Sequence, residues 1–127
     1  KKIQGYDQLP KKGKLLVITK SMKDSMCLYS CGITACAPNS ENLFISDKVL
    51  EDLKSRFKNI VVLYDNDRPG LYNMAKIRRE HPELTYVFIP KKYGSKDISD
   101  FYKDHGRKET LNLIKTFILW LKEHRQN

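Results

Sequence analysis

Cysteine is scarce in this chain. The three residues Cys27, Cys31 and Cys36 are an odd number, which argues against a complete disulfide framework. Histidine is equally sparse. His81, His105 and His124 stand far apart, so no cysteine–histidine cluster suggests a zinc site. The cysteines read as small buried residues of a reducing compartment. No apolar run is long enough to span a bilayer, and no signal-peptide pattern is present; the expected location is the cytoplasm. There is no GxxxxGK[ST] loop and no GxGxxG after a strand, which removes support for ATPase and dinucleotide readings. Repeats and low-complexity linkers are missing too. Acidic residues are outnumbered: 15 Asp+Glu face 24 Lys+Arg, a net charge of +9. A surplus of that size is an electrostatic footprint for a polyanion, most often nucleic acid.

What is present is a folded pattern. The chain has 127 residues, 40% of them hydrophobic, which suits one domain with one core. Four short apolar runs stand out: 15-LLVIT-19, 33-ITACA-37 closed by Pro38, 60-IVVLY-64, and 85-TYVFI-89 closed by Pro90. Each has strand length and β-branched or aromatic content. Their near-continuous apolarity suits strands buried on both faces of a parallel sheet.

Helical patterns separate the runs. Residues 21–31 start at the N-cap candidate Ser21 and stop at Gly32. Residues 47–57 follow Ser46 and place Val49, Leu50, Leu53 and Phe57 at helical spacing. Residues 69–80 open on Pro69, whose missing N–H costs least at a helix start. A short helix is expected near 97–104, and an amphipathic one over 109–125. Its stripes Leu111, Ile114, Ile118, Leu121 and Leu113, Phe117, Trp120 form a wide apolar face to cover the sheet or a neighbouring domain. Residues 1–12 read as an extended lead-in or edge strand, 13–104 as the main domain and 105–127 as the C-terminal helix. The expected fold is α/β, a Rossmann-like parallel four-stranded sheet with helices on both faces. The chain reads as a piece of a longer protein.

In such sheets, ligands bind beyond the C-terminal strand ends. There the third run stops on Asp65 and Asp67, one residue apart. Their shared parity can point both carboxylates to one side, where they can share Mg²⁺. The alternative is a polar turn in which Asp67 caps the next helix. Basic residues follow at Arg68, Lys76, Arg78 and Arg79, and again at Lys91, Lys92 and Lys96, with Tyr72 and Tyr93 available to stack on bases.

The blocks 17-VITKSMKD-24, 62-VLYDNDRPG-70 and 96-KDISDF-101, in this order, resemble the TOPRIM domain of bacterial and phage primases, topoisomerases and related nucleases. The resemblance spans about residues 13–104 and leans to phage-type primases. It implies a metal group of Asp65, Asp67, Asp24 and Asp97, with Asp100 as an alternative acid. It implies Mg²⁺ or Mn²⁺ as cofactor, NTPs and a single-stranded DNA template, and RNA primer synthesis. It also implies a helicase or zinc-binding domain in the parent protein. Asp65, Asp67, Lys20 and Glu41 are the candidate catalytic residues; Lys20, Lys23, Arg68, Lys91, Lys92 and Lys96 are the candidates for nucleotide or nucleic acid.

The departure is at Lys20 and Ser21, where the family carries glutamate and glycine. Protonated lysine cannot ligate Mg²⁺. Lys20 can instead neutralise Asp65 and Asp67 in a domain that has lost its chemistry. Glu41 can replace the glutamate. Lys20 can also bind phosphate while the aspartates carry metal. The rival functions are a non-catalytic binding module and a nuclease or topoisomerase domain.

Overall fold

The computed structural model describes residues 3–4, 6–38, 46–65 and 67–125. Five strands form one sheet: β1 (Ile3–Gln4), β2 (Gly13–Thr19), β3 (Ala35–Pro38), β4 (Phe57–Tyr64) and β5 (Thr85–Phe88). Their spatial order is β1-β3-β2-β4-β5, with β2 at the centre. The four strands β2 to β5 run parallel, and β1 pairs antiparallel with β3 at one edge. The helices are α1 (Met22–Ser30), α2 (Asp47–Arg56), α3 (Arg68–Glu80) and α4 (Ile98–Arg125). None of the described helices is long and apolar enough to cross a membrane.

Alternate strand residues build two cores, as a pleated sheet buried on both faces requires. Leu16, Ile18, Ile60, Val62 and Tyr64 pack with Leu53 of α2, and with Met74 and Ile77 of α3. Val17, Ala35 and Leu63 pack with Leu28 of α1, and with Ile98, Phe101, Leu113 and Ile114 of α4. Each fully buried aliphatic side chain contributes about 1.5–3 kcal/mol. The C-terminal helix thus covers the sheet, while Leu119 and Trp120 stay exposed.

Two boundaries differ from the sequence expectation. The helix expected over 47–57 ends at Arg56, and Phe57 is already extended, with φ −120° and ψ 133°. Phe57 pairs with Gly13, which carries both strands beyond their apolar runs. A Cβ on Gly13 would lie 2.8 Å from the Phe57 ring, so that ring takes the space a side chain would need. The second strand begins at Ala35 rather than Ile33 and includes Pro38, whose partner is Ile3 of the edge strand. The amide of Ile33 is still bonded to the carbonyl of Leu28, finishing the turn after α1. The two helices expected near 97–104 and 109–125 are both present as the two limbs of α4, which meet at a kink at Gly106 with φ 87° and ψ 175°.

The lead-in is tied to α2. The Tyr6 hydroxyl donates to Asp52. The Arg56 guanidinium donates to the carbonyls of Leu9, Pro10 and Lys11 and lies 5.5 Å from the Tyr6 ring centre.

Candidate active site

Three chain segments deliver acids to the C-terminal rim of the sheet. The first leaves β2 at Thr19, whose hydroxyl donates to the carbonyl of Ser21 (2.8 Å) and bonds Ser25 Oγ (2.8 Å). That fixes the turn into α1. Ser21 Oγ then caps the helix by accepting the amide of Asp24 (3.2 Å). Asp24 is consequently held in the first turn, facing inward and only 4% exposed.

The second segment is the end of β4, where Asp65 is 5% exposed. The third is the start of α4. Asp97 Oδ1 accepts the amide of Asp100 (2.9 Å) and so caps that helix. Two residues on, Ser99 donates its amide (3.2 Å) and its hydroxyl (2.5 Å) to Asp24 Oδ1. Asp24, Asp65 and Asp97 each offer a carboxylate oxygen within 4.8 Å of the other two.

Such a group is electrostatically tense. Burial pushes the Asp24 carboxyl above its ordinary value, helped by the charges of Asp97 and Asp65, although the Ser99 bonds oppose the shift. Burial also raises Asp65, and here Lys20 opposes it. The Lys20 ammonium lies 3.4 Å from Asp65 Oδ2.

Asp67 stands apart from the three. Its Oδ1 accepts the amide of Gly70 (2.7 Å), capping α3, and its Oδ2 lies 3.3 Å from Lys96 Nζ. The Gly70 amide holds the Asp67 carboxyl below the usual range, with Lys96 assisting. Its bond to Asp67 in turn raises Lys96. The two acids one residue apart therefore face different cations: Lys20 for Asp65 and Lys96 for Asp67.

Of the other residues singled out by sequence, Lys23, Arg68, Lys91 and Lys92 are exposed. Lys91–Tyr93 forms a 3₁₀ turn. Within it Lys92 Nζ lies 5.2 Å from the Tyr93 ring centre, and Tyr93 meets Phe101 edge-on at 5.4 Å. Asp100 is half-buried and outside the three-acid group. Glu41 lies outside the described residues.

Sequence reasoning missed two positioning residues. Ser99 orients Asp24 through both of its donors. Gly70 packs against the end of β4: a Cβ there would sit 2.3 Å from the Asp65 carbonyl oxygen and 2.9 Å from Asp67 Oδ1. Its place three residues after a capping aspartate was the available signal.

The donor set is all carboxylate oxygen, from two buried residues and the half-buried Asp97, which suits a hard divalent cation such as Mg²⁺ or Mn²⁺. The residues fit such an ion, since a positive charge would relieve the repulsion that raises Asp24 and Asp65.

The parallel sheet with acids gathered at its C-terminal rim is TOPRIM-type in fold. It is similar to the solved "DnaG primase catalytic domain bound to ssDNA", with 18% identity and a TM-score of 0.69 over 90% of this chain. It spans 39% of that primase chain. A "small TOPRIM domain protein from Bacillus stearothermophilus" is similar at 20% identity and a TM-score of 0.49, over 72% of this chain and 80% of that one. No protein-family profile and no curated protein matches the sequence.

Proposed function

We propose that Asp24, Asp65 and Asp97 hold a divalent cation and that the domain serves primase-type nucleotidyl transfer, joining NTPs into RNA on single-stranded DNA. The convergence of the three carboxylates carries this reading. The similar primase domain was solved with single-stranded DNA, which supports the choice of template. That protein is far longer than this chain, so a template-reading domain and a helicase partner belong to the parent protein in this proposal. Three free cysteines agree with a reducing, cytoplasmic setting.

When bound, the metal would supply charge stabilisation for the phosphoryl oxygens of the incoming nucleotide. The protein's own part is positioning and charge. Ser99 orients Asp24, and the Asp97 cap fixes the third acid on a helix end. Asp67 shapes the turn after β4 through its bond to Gly70, and Lys96 holds its free oxygen. The exposed Lys91 and Lys92 offer point charges to phosphate, and Lys20 does so once released from Asp65.

Calorimetric titration with Mn²⁺ tests the metal site. Uptake is expected, with affinity falling roughly tenfold or more in Asp24→Asn and in Asp97→Asn. A folded wild-type chain that takes up no ion sinks the proposal.

One observation favours a second reading. The Lys20 ammonium, 3.4 Å from Asp65, already supplies a positive charge to the acids. A domain that has lost its chemistry and only binds nucleic acid or protein would keep this internal cation. In that case Lys20→Glu creates ion uptake where the wild type has none.

A further inference from the structure

The sheet end opposite the aspartates carries a second concavity. Lys14, Leu15, Lys58, Asn59, Ile118, Leu121 and Lys122 line it, and its volume is about 560 Å³. That lies within the roughly 300–1,000 Å³ of ordinary ligand pockets. Leu15, Ile118 and Leu121 form an apolar floor where α4 meets the sheet. Leu15 and Ile118 also line the narrow apolar seam running inward between β2, β4, β5 and α4, so the floor continues the core.

The rim is cationic. The pairs Gly13–Phe57 and Leu15–Asn59 bracket Lys14 and Lys58, placing these two lysines side by side across the parallel ladder. Like charges in that relation repel. Among the described residues, no acid lines the pocket. Among the described residues no ion pair joins Lys14, Lys58 or Lys122 to a carboxylate. Among the described residues, the three lysines at this aliphatic floor have no carboxylate complement.

We propose that this pocket docks an acidic peptide segment of a partner protein, which seats an apolar side chain on the floor and sets its carboxylates against Lys14, Lys58 and Lys122. Charge complementarity selects an anion. The floor selects among anions, because nucleobases stack on aromatic rings and this one is aliphatic. A desolvated apolar anchor ringed by charge is the usual anatomy of a small protein interface. The pocket is separate from the aspartate rim, so a partner can be held while the other end of the sheet stays open.

Selection of a displayed random-peptide library on the full chain tests this. The expected winners combine Asp or Glu with a large apolar residue. Their affinity for Lys58→Glu/Lys122→Glu should fall about tenfold or more by fluorescence anisotropy. That variant's circular-dichroism melt should match wild type. If it unfolds, Lys14→Glu/Lys122→Gln gives the same comparison. Winners without acidic residues, winners that bind the variant equally well, or no enrichment would each overturn the proposal. Binding of oligo-dT or phosphatidylserine vesicles that the reversals abolish, with no acidic peptide enriched, would reassign the face to nucleic acid or membrane.

Discussion

Asp24 is the residue on which the competing demands of this domain meet. Its carboxylate is buried beside two others, and burial raises it above its ordinary value. Between its unfolded and its folded value, the folded chain therefore holds a proton there that the unfolded chain has released. Stability from this group is present below the unfolded value and is lost as pH rises through the folded one. Asn in its place still accepts from Ser99 but carries no charge. In metal-free buffer at neutral pH, Asp24→Asn should be more stable than wild type by on the order of 1 kcal/mol. The gap should close below about pH 4, where the unfolded wild-type chain is protonated there too. Urea melts at the two pH values measure this, and added Mn²⁺ should reverse the neutral-pH ranking if the site is loaded. Gly70→Ala probes the same site from behind. Its Cβ would collide with the Asp65 carbonyl, so the end of β4 must shift. Mn²⁺ affinity is expected to fall about tenfold or more, as for other supporting-residue changes at metal sites. An unchanged affinity would show that the turn has slack. The acids themselves could be read from sequence, because strand ends and acidic doublets are local features. Their grouping could not. Asp97 joins Asp24 and Asp65 while Asp67 turns to Lys96, and that sorting depends on how α4 approaches the sheet.

Among the elements, α4 is the one with an internal kink, which separates its two expected helical limbs. Its break at Gly106 lies at φ 87° and ψ 175°, a backbone region essentially confined to glycine. A Cβ there would meet nothing within 4 Å, so the cost of a side chain is conformational alone. Gly106→Ala should destabilise the chain by about 1–3 kcal/mol without a packing defect. Chemical denaturation reads the loss, and a cost near zero would mean that α4 tolerates a straightened course. The break lets Ile98 and Phe101 before it, and Leu113 and Ile114 after it, serve one core. The four parallel strands were legible because their apolar runs are dense and bounded by Pro, Gly or acids. The residues 57–59 were not legible as strand, because Lys58 and Asn59 lie at the more open start of β4 and break the apolar run. Phe57 fits helical spacing as well as it fits the pleat, and only its pairing with Gly13 decides between them.

For the whole molecule, the net charge of +9 includes two lysine sets at opposite ends of one sheet. Lys91, Lys92 and Lys96 stand with the aspartates, whereas Lys14, Lys58 and Lys122 ring the far pocket. Single-stranded DNA binding, if it uses the first set, should weaken linearly with log salt. The slope should be about −2 for three phosphate contacts on a single strand. Replacing Lys91, Lys92 and Lys96 with alanine should flatten that slope, whereas Lys58→Glu/Lys122→Glu should leave it nearly unchanged. Oligo-dT anisotropy over a salt series distinguishes the two ends. The central position of β2 also has a consequence in time. A ribosome makes this strand early, yet β4, its partner along most of its length, is complete only at Tyr64, and the Ser99 donors to Asp24 emerge later still. Until then the early half of the chain holds a carboxylate destined for burial without the groups that orient it. Nascent chains halted before Ser99 should therefore lack the donors that orient Asp24, so any Mn²⁺ uptake is expected only in chains that extend past it.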